Sequence, residues 1–336
     1  MEINLLKYFT FLRLFNALSI LFSYCLSKVC RKPVLWGNPI SYSIEPTNHC
    51  NLKCPECPSG LGALTRSIGL MDIKSFEKII EQIRDTGVYI QLYFQGEPYI
   101  NKHLPDMIGC AQSNNLYVSV STNGLLFKKD MIGRALNPSP DKIIFSIDGL
   151  DESAYQNYRV GGSYSNAIEG LKLLIEEKKR RNLQKPFIEF QFIVMKQNEH
   201  QANDVVQFGK SIGVDKVTLK TMQVNSFESA EYFLPTNPKY SRYVLSENDF
   251  KIKNKIKNHC FALWRTAVIT WDGRLVPCCF DKDAKHQFGK LSNNNLIEIW
   301  KGENYRKFRM AVLTNRSHIP ICTNCTEGLN MNILEM

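Results

Sequence analysis

A triplet of cysteines near the start of the chain constrains its fold more than any other feature. Cys50, Cys54 and Cys57 follow the spacing C-x3-C-x2-C, directly after a short run of strand-forming residues. Three thiolates this close can bind three irons of a [4Fe–4S] cluster, whereas a tetrahedral zinc ion requires a fourth ligand. The nearest candidate for that ligand is His49, which is adjacent to Cys50 and would strain to complete the same tetrahedron. The triplet therefore predicts a cluster whose fourth iron is open to a small molecule.

Residues 41–221 alternate between short β-rich runs and stretches with helical spacing. Six strand–helix repeats predict parallel strands, and six are two fewer than a closed barrel has. The predicted fold class is therefore α/β, a partial (β/α)6 TIM-like barrel followed by a small C-terminal iron–sulfur domain. Functional groups of such barrels lie at the carboxyl ends of the strands, where the triplet follows the first strand. The predicted strands are Tyr42–Glu45, Val88–Phe94, Leu116–Ser121, Lys142–Ile147, Phe187–Met195 and Val214–Lys220.

The helices between these strands have recognisable ends and faces. Asp72 is a predicted N-cap, and Gly87 is a predicted stop for the helix between them, whose apolar positions recur every three to four residues. Further helices are predicted at Leu104–Ser113, Lys128–Leu136, Ser165–Arg181 and Glu199–Ile212.

The pattern changes after residue 222. Prolines and a lysine-alternating run around Lys251 predict a linker or a surface helix up to Asn258. A β-hairpin is then predicted to turn at Asp272-Gly273, and Leu296–Leu313 is predicted to be one amphipathic helix. The predicted organisation is an amphipathic helical segment at 1–39, a core domain at 40–222, a linker at 223–258 and an auxiliary cluster domain at 259–336.

The amino-terminal segment contains an apolar run, Leu14–Leu26, flanked by Arg13 and Lys28. Because this run has 13 residues and a membrane span needs about 20, it is short for a comfortable transmembrane helix. Two interpretations are open: an amphipathic helix that packs on the rest of the chain, and one that makes peripheral contact with a membrane surface.

The overall charge and the pattern of cysteines limit which partners and which cellular compartment are expected. A formal net charge of +10 fits a solvated lysine surface, and equally an attraction to an anionic ligand, membrane surface or acidic peptide. No helix-turn-helix, RNP or zinc-finger pattern is present, so nucleic acid is not an expected partner. The cysteines are grouped like metal ligands rather than like a disulfide framework, which predicts a cytoplasmic location.

Motifs at three further strand ends accompany the triplet. Gly96 and Glu97, in Gln-Gly-Glu-Pro, end the second strand, and Gly96 would let the backbone approach a ligand closely. The third strand ends in the motif Ser-Thr-Asn-Gly, which contains Ser121 and Asn123. The fourth strand ends in the motif Ser-Ile-Asp-Gly, which begins at Ser146. With the triplet, these motifs resemble the radical S-adenosylmethionine (SAM) superfamily over residues 40–222. Two departures are Glu56, where the family commonly has an aromatic residue, and Gln95, where it commonly has glycine.

The resemblance implies a cofactor and a set of contacts. It implies that SAM binds the open iron of the triplet's [4Fe–4S] cluster. Glu97 would accept a hydrogen bond from the methionine amino group, and Ser121 and Asn123 would contact the ribose. Ser146 and the guanidinium of Arg159 would contact the methionine carboxylate; an ordinary surface arginine is the alternative for Arg159.

The last cysteines form a second set, consisting of Cys260, Cys278, Cys322 and Cys325. A predicted hairpin lies between Cys260 and Cys278, and a predicted helix lies between Cys278 and Cys322. This arrangement resembles the SPASM domain or its shorter Twitch form. This resemblance implies a second [4Fe–4S] cluster, ligated by all four of these residues. On this interpretation Cys279 binds no iron. The alternative to the second cluster is a structural zinc site formed by the four cysteines.

Two functional hypotheses follow. The resemblance implies a radical SAM oxidoreductase or maturase that generates a 5′-deoxyadenosyl radical and takes hydrogen from a substrate. The substrate would be a peptide side chain, as in sulfatase maturation, or a sugar-like alcohol, as in aminocyclitol oxidation, and the electron donor a flavodoxin or ferredoxin. The alternative is a non-catalytic zinc- or cluster-bearing binding module at a membrane surface. The sequence singles out no catalytic residue.

Overall fold

The computed structural model describes residues 3–253, 255–292 and 294–327, and these form two compact units. The first unit contains the described residues of Met1–His49, Leu64–Ser119 and Ile256–Leu329. The second contains those of Cys50–Ala63 and Val120–Lys255. The predicted segments at 1–39, 223–258 and 259–336 include residues 1–2, 254, 293 and 328–336, which lie outside the described residues, and the segment boundaries stay predictions.

Parallel strands dominate both units, as the alternating sequence pattern predicts. In the first unit the strand order is β11-β10-β9-β1-β2-β3, with β9 and β2 each parallel to β1, and β10 antiparallel to β9. In the second unit the order continues from the end of β3 through β4-β5-β6, and a separate antiparallel hairpin joins β7 to β8. The strands are β1 Ser41–Ile44, β2 Tyr89–Gln91, β3 Tyr117–Thr122, β4 Lys142–Ser146, β5 Phe187–Val194, β6 Lys216–Thr221, β7 Tyr243–Ser246, β8 Asp249–Ile252, β9 Thr266–Ile269, β10 Arg274–Val276 and β11 Gly289–Lys290.

Local sequence signals explain where the helices begin and end. Asp72 caps the second helix by accepting a hydrogen bond from the Ser75 N–H, and the Gly87 N–H bonds to the Ile83 carbonyl after its last turn. The α-helices are α1 Phe11–Cys30, α2 Ile73–Ile83, α3 Leu104–Ser113, α4 Lys129–Ala135, α5 Glu152–Gln156, α6 Tyr164–Arg180, α7 Asp204–Ile212, α8 Phe227–Phe233, α9 Ala262–Arg265, α10 Leu296–Lys301, α11 Glu303–Asn315 and α12 Pro320–Thr323. Short 3-10 turns occur at Ile3–Tyr8, Pro98–Ile100, Glu199–Gln201, Pro238–Tyr240 and Arg316–His318.

Two predicted helices are each divided in the structure. The predicted helix Leu296–Leu313 consists of α10 and α11, which are separated at Gly302 by extended backbone. Glycine is among the poorest helix formers, which explains the break. The predicted helix Glu199–Ile212 is a 3-10 turn followed by α7.

The region after residue 222 is more ordered than the sequence suggests. It contains α8 and the β7–β8 hairpin, so Lys251 lies on a strand and the prediction of a surface helix there is wrong, whereas the linker at 223–258 stays a prediction. The alternation of lysine and isoleucine there has the period of a half-buried strand. Apolar side chains of this region, including Met222 and Phe233, pack in one core with Leu52 and Cys54.

Helix α1 has its polar side turned inward. Its buried positions include Arg13, Asn16, Ser23 and Ser27, whereas most of its large apolar side chains are exposed. By length and composition alone this helix of 20 residues could cross a membrane, although 33% of its most apolar window is buried.

Candidate iron–sulfur and cofactor sites

The cysteine triplet lies on a loop of the second unit that follows β1 in the chain. Cys54 is buried in an apolar core beside Leu52 and Tyr158, whereas Cys50 and Cys57 are half-buried at the edge of that core. The loop is tight, because a Cβ atom on Gly60 would lie 2.6 Å from the Cys54 backbone nitrogen. The close approach therefore requires glycine at this position.

A buried ion pair accompanies the Cys54 thiol. The Arg159 Nε donates to Asp148 Oδ2 at 2.6 Å, and the other carboxylate oxygen accepts from the Ile193 N–H at 2.7 Å. Burial raises the pKa of the Cys54 thiol, and the neighbouring Arg159 charge opposes that rise. Burial also disfavours the charged guanidinium, but Asp148 and the Cys54 sulfur raise the pKa of Arg159 above its ordinary value. Arg159 is thus a cation held between a carboxylate and a predicted cluster ligand.

The ends of β3 and β4 bring the predicted hydroxyl groups together. Ser121 Oγ and Ser146 Oγ are 3.4 Å apart. Asn123 bonds instead to the triplet loop and to its own turn: its Nδ2 donates to Asn51 Oδ1 at 2.7 Å, and its Oδ1 accepts from the Leu125 N–H. The structure therefore shows Asn123 anchoring the residue next to Cys50.

The Gly96-Glu97 motif belongs to the first unit, where it contacts the residues that precede the triplet in the chain. Gly96 has φ +75°, and a Cβ there would lie 2.6 Å from the carbonyl oxygens of Thr47 and His49. The Glu97 N–H donates to the His49 carbonyl at 2.8 Å, and its buried carboxylate accepts from the Tyr99 N–H at 3.3 Å. The close approach that Gly96 permits is to this backbone.

The second cysteine set lies in the first unit around a buried arginine. Cys260, Cys322 and Cys325 are buried, and Arg316 Nη2 lies 3.4 Å from Cys325 Sγ. Burial raises the pKa of the Cys260 thiol to about 12, and the charge of Arg316 opposes that rise. Arg316 also donates to the backbone carbonyl of His259 at 2.8 Å, which fixes the guanidinium among the thiols.

Cys278 and Cys279 differ in exposure, as an extended backbone predicts for adjacent residues. Cys278 is half-buried and Cys279 is exposed. Burial raises the pKa of the Cys278 thiol well above its ordinary value, and the charges of Cys279, Cys260 and Cys325 raise it further. Cys278 is therefore electrostatically coupled to Cys260 and Cys325, and Cys279, whose pKa burial raises to about 11, is coupled to Cys325 as well.

Both cysteine sets carry thiol donors, which a [4Fe–4S] cluster binds. Within residues 3–253, 255–292 and 294–327, no group of three His, Cys, Asp or Glu side chains could hold one metal ion. Zinc draws thiolates to about 2.3 Å, whereas a [4Fe–4S] cluster distributes its thiolates over separate irons. Grouped cysteine thiols in partly apolar surroundings are the donors that such a cluster uses.

Comparison with known families decides the identity of the two regions. The profile of the radical SAM superfamily matches residues 44–208, and that of SPASM, an iron-sulfur cluster-binding domain, matches residues 260–326. The chain is a radical SAM enzyme with a C-terminal SPASM domain. The predicted resemblance is confirmed, and these families imply SAM and [4Fe–4S] clusters as cofactors.

Individual relatives extend over most of this radical SAM enzyme. The tungsten-containing aldehyde ferredoxin oxidoreductase cofactor-modifying protein of Pyrococcus furiosus is 27% identical over 312 residues, 84% of this chain and 86% of the relative. A PqqA peptide cyclase of Granulibacter bethesdensis is 24% identical over 294 residues, 81% and 76% of the two chains. The crystal structure of BtrN in complex with AdoMet and 2-DOIA aligns with a TM-score of 0.55 and 16% identity, covering 89% and 99%. The mixed α/β fold with a parallel sheet, typical of the radical SAM partial barrel, is thereby confirmed.

Several residues of these sites were not predicted from the sequence. Asn51, Gly60 and Arg316 hold the two cysteine sets in place, and no motif marks them. Asp148 lies within the Ser-Ile-Asp-Gly motif, but its pairing with Arg159 has no local signal. The assignment of individual side chains to SAM atoms or irons stays a prediction.

Proposed function

We propose that this radical SAM enzyme takes a hydrogen atom from a peptide side chain and completes a two-electron oxidation or modification of it. The observation that supports this proposal is the pair of unlike cysteine sets. The first has three cysteines on one loop, and the second has four thiols grouped around Arg316 or coupled to its neighbours. When bound, the first cluster and SAM would supply a 5′-deoxyadenosyl radical.

The residues around the triplet would hold and shield the first cluster. Cys50, Cys54 and Cys57 would bind three irons, and the apolar core beside Cys54 would exclude water. Arg159 would direct a positive charge at the Cys54 sulfur, while Asp148 balances that charge. The proposed SAM contacts remain Gly96, Glu97, Ser121, Asn123, Ser146 and Arg159.

The second set would bind an auxiliary cluster entirely through protein ligands. Cys260, Cys278, Cys322 and Cys325 would leave no iron open, so this cluster would accept an electron rather than bind substrate. An acceptor of this kind would make the overall reaction a two-electron oxidation. A cytoplasmic flavodoxin or ferredoxin is the proposed reductant of the first cluster.

Among the sequence relatives, the PqqA peptide cyclases support a peptide as the substrate, whereas the Pyrococcus furiosus relative is named for modifying a cofactor. PqqA peptide cyclases match by sequence over most of the chain, whereas the BtrN likeness, at 16% identity, concerns the fold. A sugar-like alcohol is the second candidate, supported by the five cysteines after residue 258, which suffice for one auxiliary cluster.

Anaerobic reconstitution tests this proposal. Two clusters correspond to about eight irons per chain, and the reduced enzyme should cleave SAM to 5′-deoxyadenosine. Cys54→Ala should abolish cleavage, whereas Cys110→Ala, at a half-buried cysteine of α3 outside both sets, should retain it. Cleavage by Cys54→Ala would refute the site assignment, and a wild-type protein that binds zinc and cleaves no SAM would instead support a binding module.

A further inference from the structure

Helix α1 presents a continuous apolar face to solvent. Phe11, Phe15 and Phe22 are 87%, 63% and 60% exposed, respectively. Their spacing places them on one side of the helix. The same side carries further exposed apolar residues, namely Leu12, Leu14, Leu18, Leu21, Leu26 and Val29. Soluble proteins rarely expose so many neighbouring apolar side chains unless the surface binds something.

The opposite face of α1 is held to the first unit by hydrogen bonds. The buried Arg13 guanidinium donates to the carbonyls of Tyr8 at 2.8 Å and Asn114 at 3.0 Å. Asn16 and Asn38 exchange two hydrogen bonds, at 2.9 and 2.8 Å. Leaving this position to cross a bilayer would break these bonds and carry a guanidinium into hydrocarbon, which is costly. The bonded face therefore favours a helix that stays on the protein with its other face outward.

The C-terminal half of α1 is anchored to the SPASM region. Tyr24 Oη lies 2.9 Å from His259 Nδ1, and the Tyr24 ring packs edge-on against Trp264 at 5.4 Å. The Trp264 indole N–H donates to the Val34 carbonyl at 2.9 Å, just after the helix. These contacts fix the orientation of the apolar face relative to the first unit.

The charge around the apolar face selects the kind of partner. Residues 3–44 contain five Lys or Arg residues and no Asp or Glu. Four of the cations are exposed at the two ends of α1, namely Lys7, Lys28, Arg31 and Lys32. Trp36, which is 58% exposed, follows them, and tryptophan favours the membrane–water boundary. An apolar helical face bordered by cations is the pattern of helices that lie in the headgroup region of anionic bilayers.

A second copy of the chain would suit this face less well. Packing two such helices together would bring their flanking cations into proximity, and the segment 3–44 offers no carboxylate to pair with them. Anionic headgroups supply the missing charge, and acyl chains cover the phenylalanines.

We propose that α1 is a peripheral anchor that lies flat on an anionic lipid bilayer, with Phe11, Phe15 and Phe22 inserted below the headgroups. The chain would then act as a membrane-associated enzyme. This inference is independent of the substrate.

Vesicle co-sedimentation of the reconstituted holoenzyme tests the anchor. Wild-type protein should pellet with vesicles of phosphatidylglycerol and phosphatidylcholine, and at least tenfold less with phosphatidylcholine alone. Phe15→Glu/Phe22→Glu should lose binding to the anionic vesicles. The matched control, Val244→Glu/Leu245→Glu in β7, also changes two exposed apolar residues and should bind as wild type. Lys28→Gln/Arg31→Gln/Lys32→Gln should weaken binding, and added salt should do the same.

Iron content and SAM cleavage check that each variant is folded, because none of these residues is placed in either cysteine set. Wild-type protein that fails to pellet, or that binds neutral and anionic vesicles equally, would overturn the proposal. So would anionic-vesicle binding by Phe15→Glu/Phe22→Glu at the wild-type level. A wild-type dimer that this double variant converts to a monomer would assign the face to a second copy instead.

Discussion

The amino-terminal triplet and the C-terminal cysteine set each include a buried arginine beside a thiol, and the two arginines have different partners. Arg159 bonds to the Asp148 carboxylate, so the charge beside Cys54 is balanced. In the described part of the chain, the hydrogen bonds of Arg316 go to backbone carbonyls and to the Cys325 sulfur, not to a carboxylate. The thiols of the second set thus face a cation that bonds to no carboxylate among the described residues, although the Glu327 carboxylate also acts on Cys260 and Cys325.

This difference matches the two tasks proposed for the clusters. Net charge and hydrogen bonds at the sulfurs set the reduction potential of an iron–sulfur cluster. A cation that is not bonded to a carboxylate favours the reduced, more negative cluster, as an electron acceptor requires. A balanced ion pair keeps the potential of the first cluster lower, as an electron source requires. The number of cysteines in each set reinforces the contrast, since only the first leaves an iron open.

The largest expected effect that tests this contrast concerns the fourth ligand of the second set. Cys278→Ala should remove the auxiliary cluster, or about four of eight irons, because Cys278 is the less exposed of the two neighbours and is coupled to Cys260. Cys279→Ala, at the exposed neighbour, should keep all the iron. Iron analysis and electron paramagnetic resonance of both variants measure this. Loss of iron only in Cys279→Ala would make Cys279 the ligand. If both variants keep all their iron, neither cysteine is the fourth ligand, and the two sets no longer differ in their number of protein ligands.

Local signals account for the parts of the fold that the sequence predicted well. Leu104–Ser113 is a helix with the predicted bounds, and Asp72 is the predicted cap. The hairpin turns at Gly273, whose φ of +81° suits glycine. Each of these depends on residues close together in the chain, and a single sequence records such relations directly.

The unpredicted parts depend on residues far apart in the chain. The 222–258 region folds onto the core around Leu52, and Asn51 is held by Asn123 seventy-two positions later. Helix α1 shows its apolar side to solvent because distant carbonyls, such as that of Asn114, bind Arg13. The amphipathic pattern predicts a helix with two faces, but only the tertiary contacts show which face is buried.

Removing the carboxylate of the first pair should make the triplet resemble the second set. Asp148→Asn leaves Arg159 buried without its counter-charge, and breaking a buried pair in this way costs about 3–5 kcal/mol of unfolding free energy. Glu177→Gln, which removes a surface bridge to Arg180 and Arg181, should cost far less, because solvent screens exposed ion pairs. Denaturant unfolding of the two variants compares the losses directly.

The same Asp148→Asn variant should raise the potential of the first cluster, because the Arg159 charge beside Cys54 is no longer balanced. An unchanged or lower potential would show that the ion pair acts only on folding. The proposal that the Arg159–Asp148 ion pair sets the potential of the first cluster would then be wrong.

The smallest expected effect comes from the second arginine. Arg316→Gln removes a charge within 3.4 Å of the Cys325 sulfur and should lower the potential of the auxiliary cluster. A unit charge at about 4 Å and an effective dielectric constant of 20 contributes about 4 kcal/mol as an upper bound, so a shift on the order of 100 mV is reasonable. Arg316→Lys keeps the charge and should move the potential less. A redox titration monitored by electron paramagnetic resonance measures the potential of the auxiliary cluster in each variant. If both variants shift the potential equally, the hydrogen bond to Cys325 rather than the charge of Arg316 sets it, and the contrast with Arg159 lies in geometry instead of electrostatics.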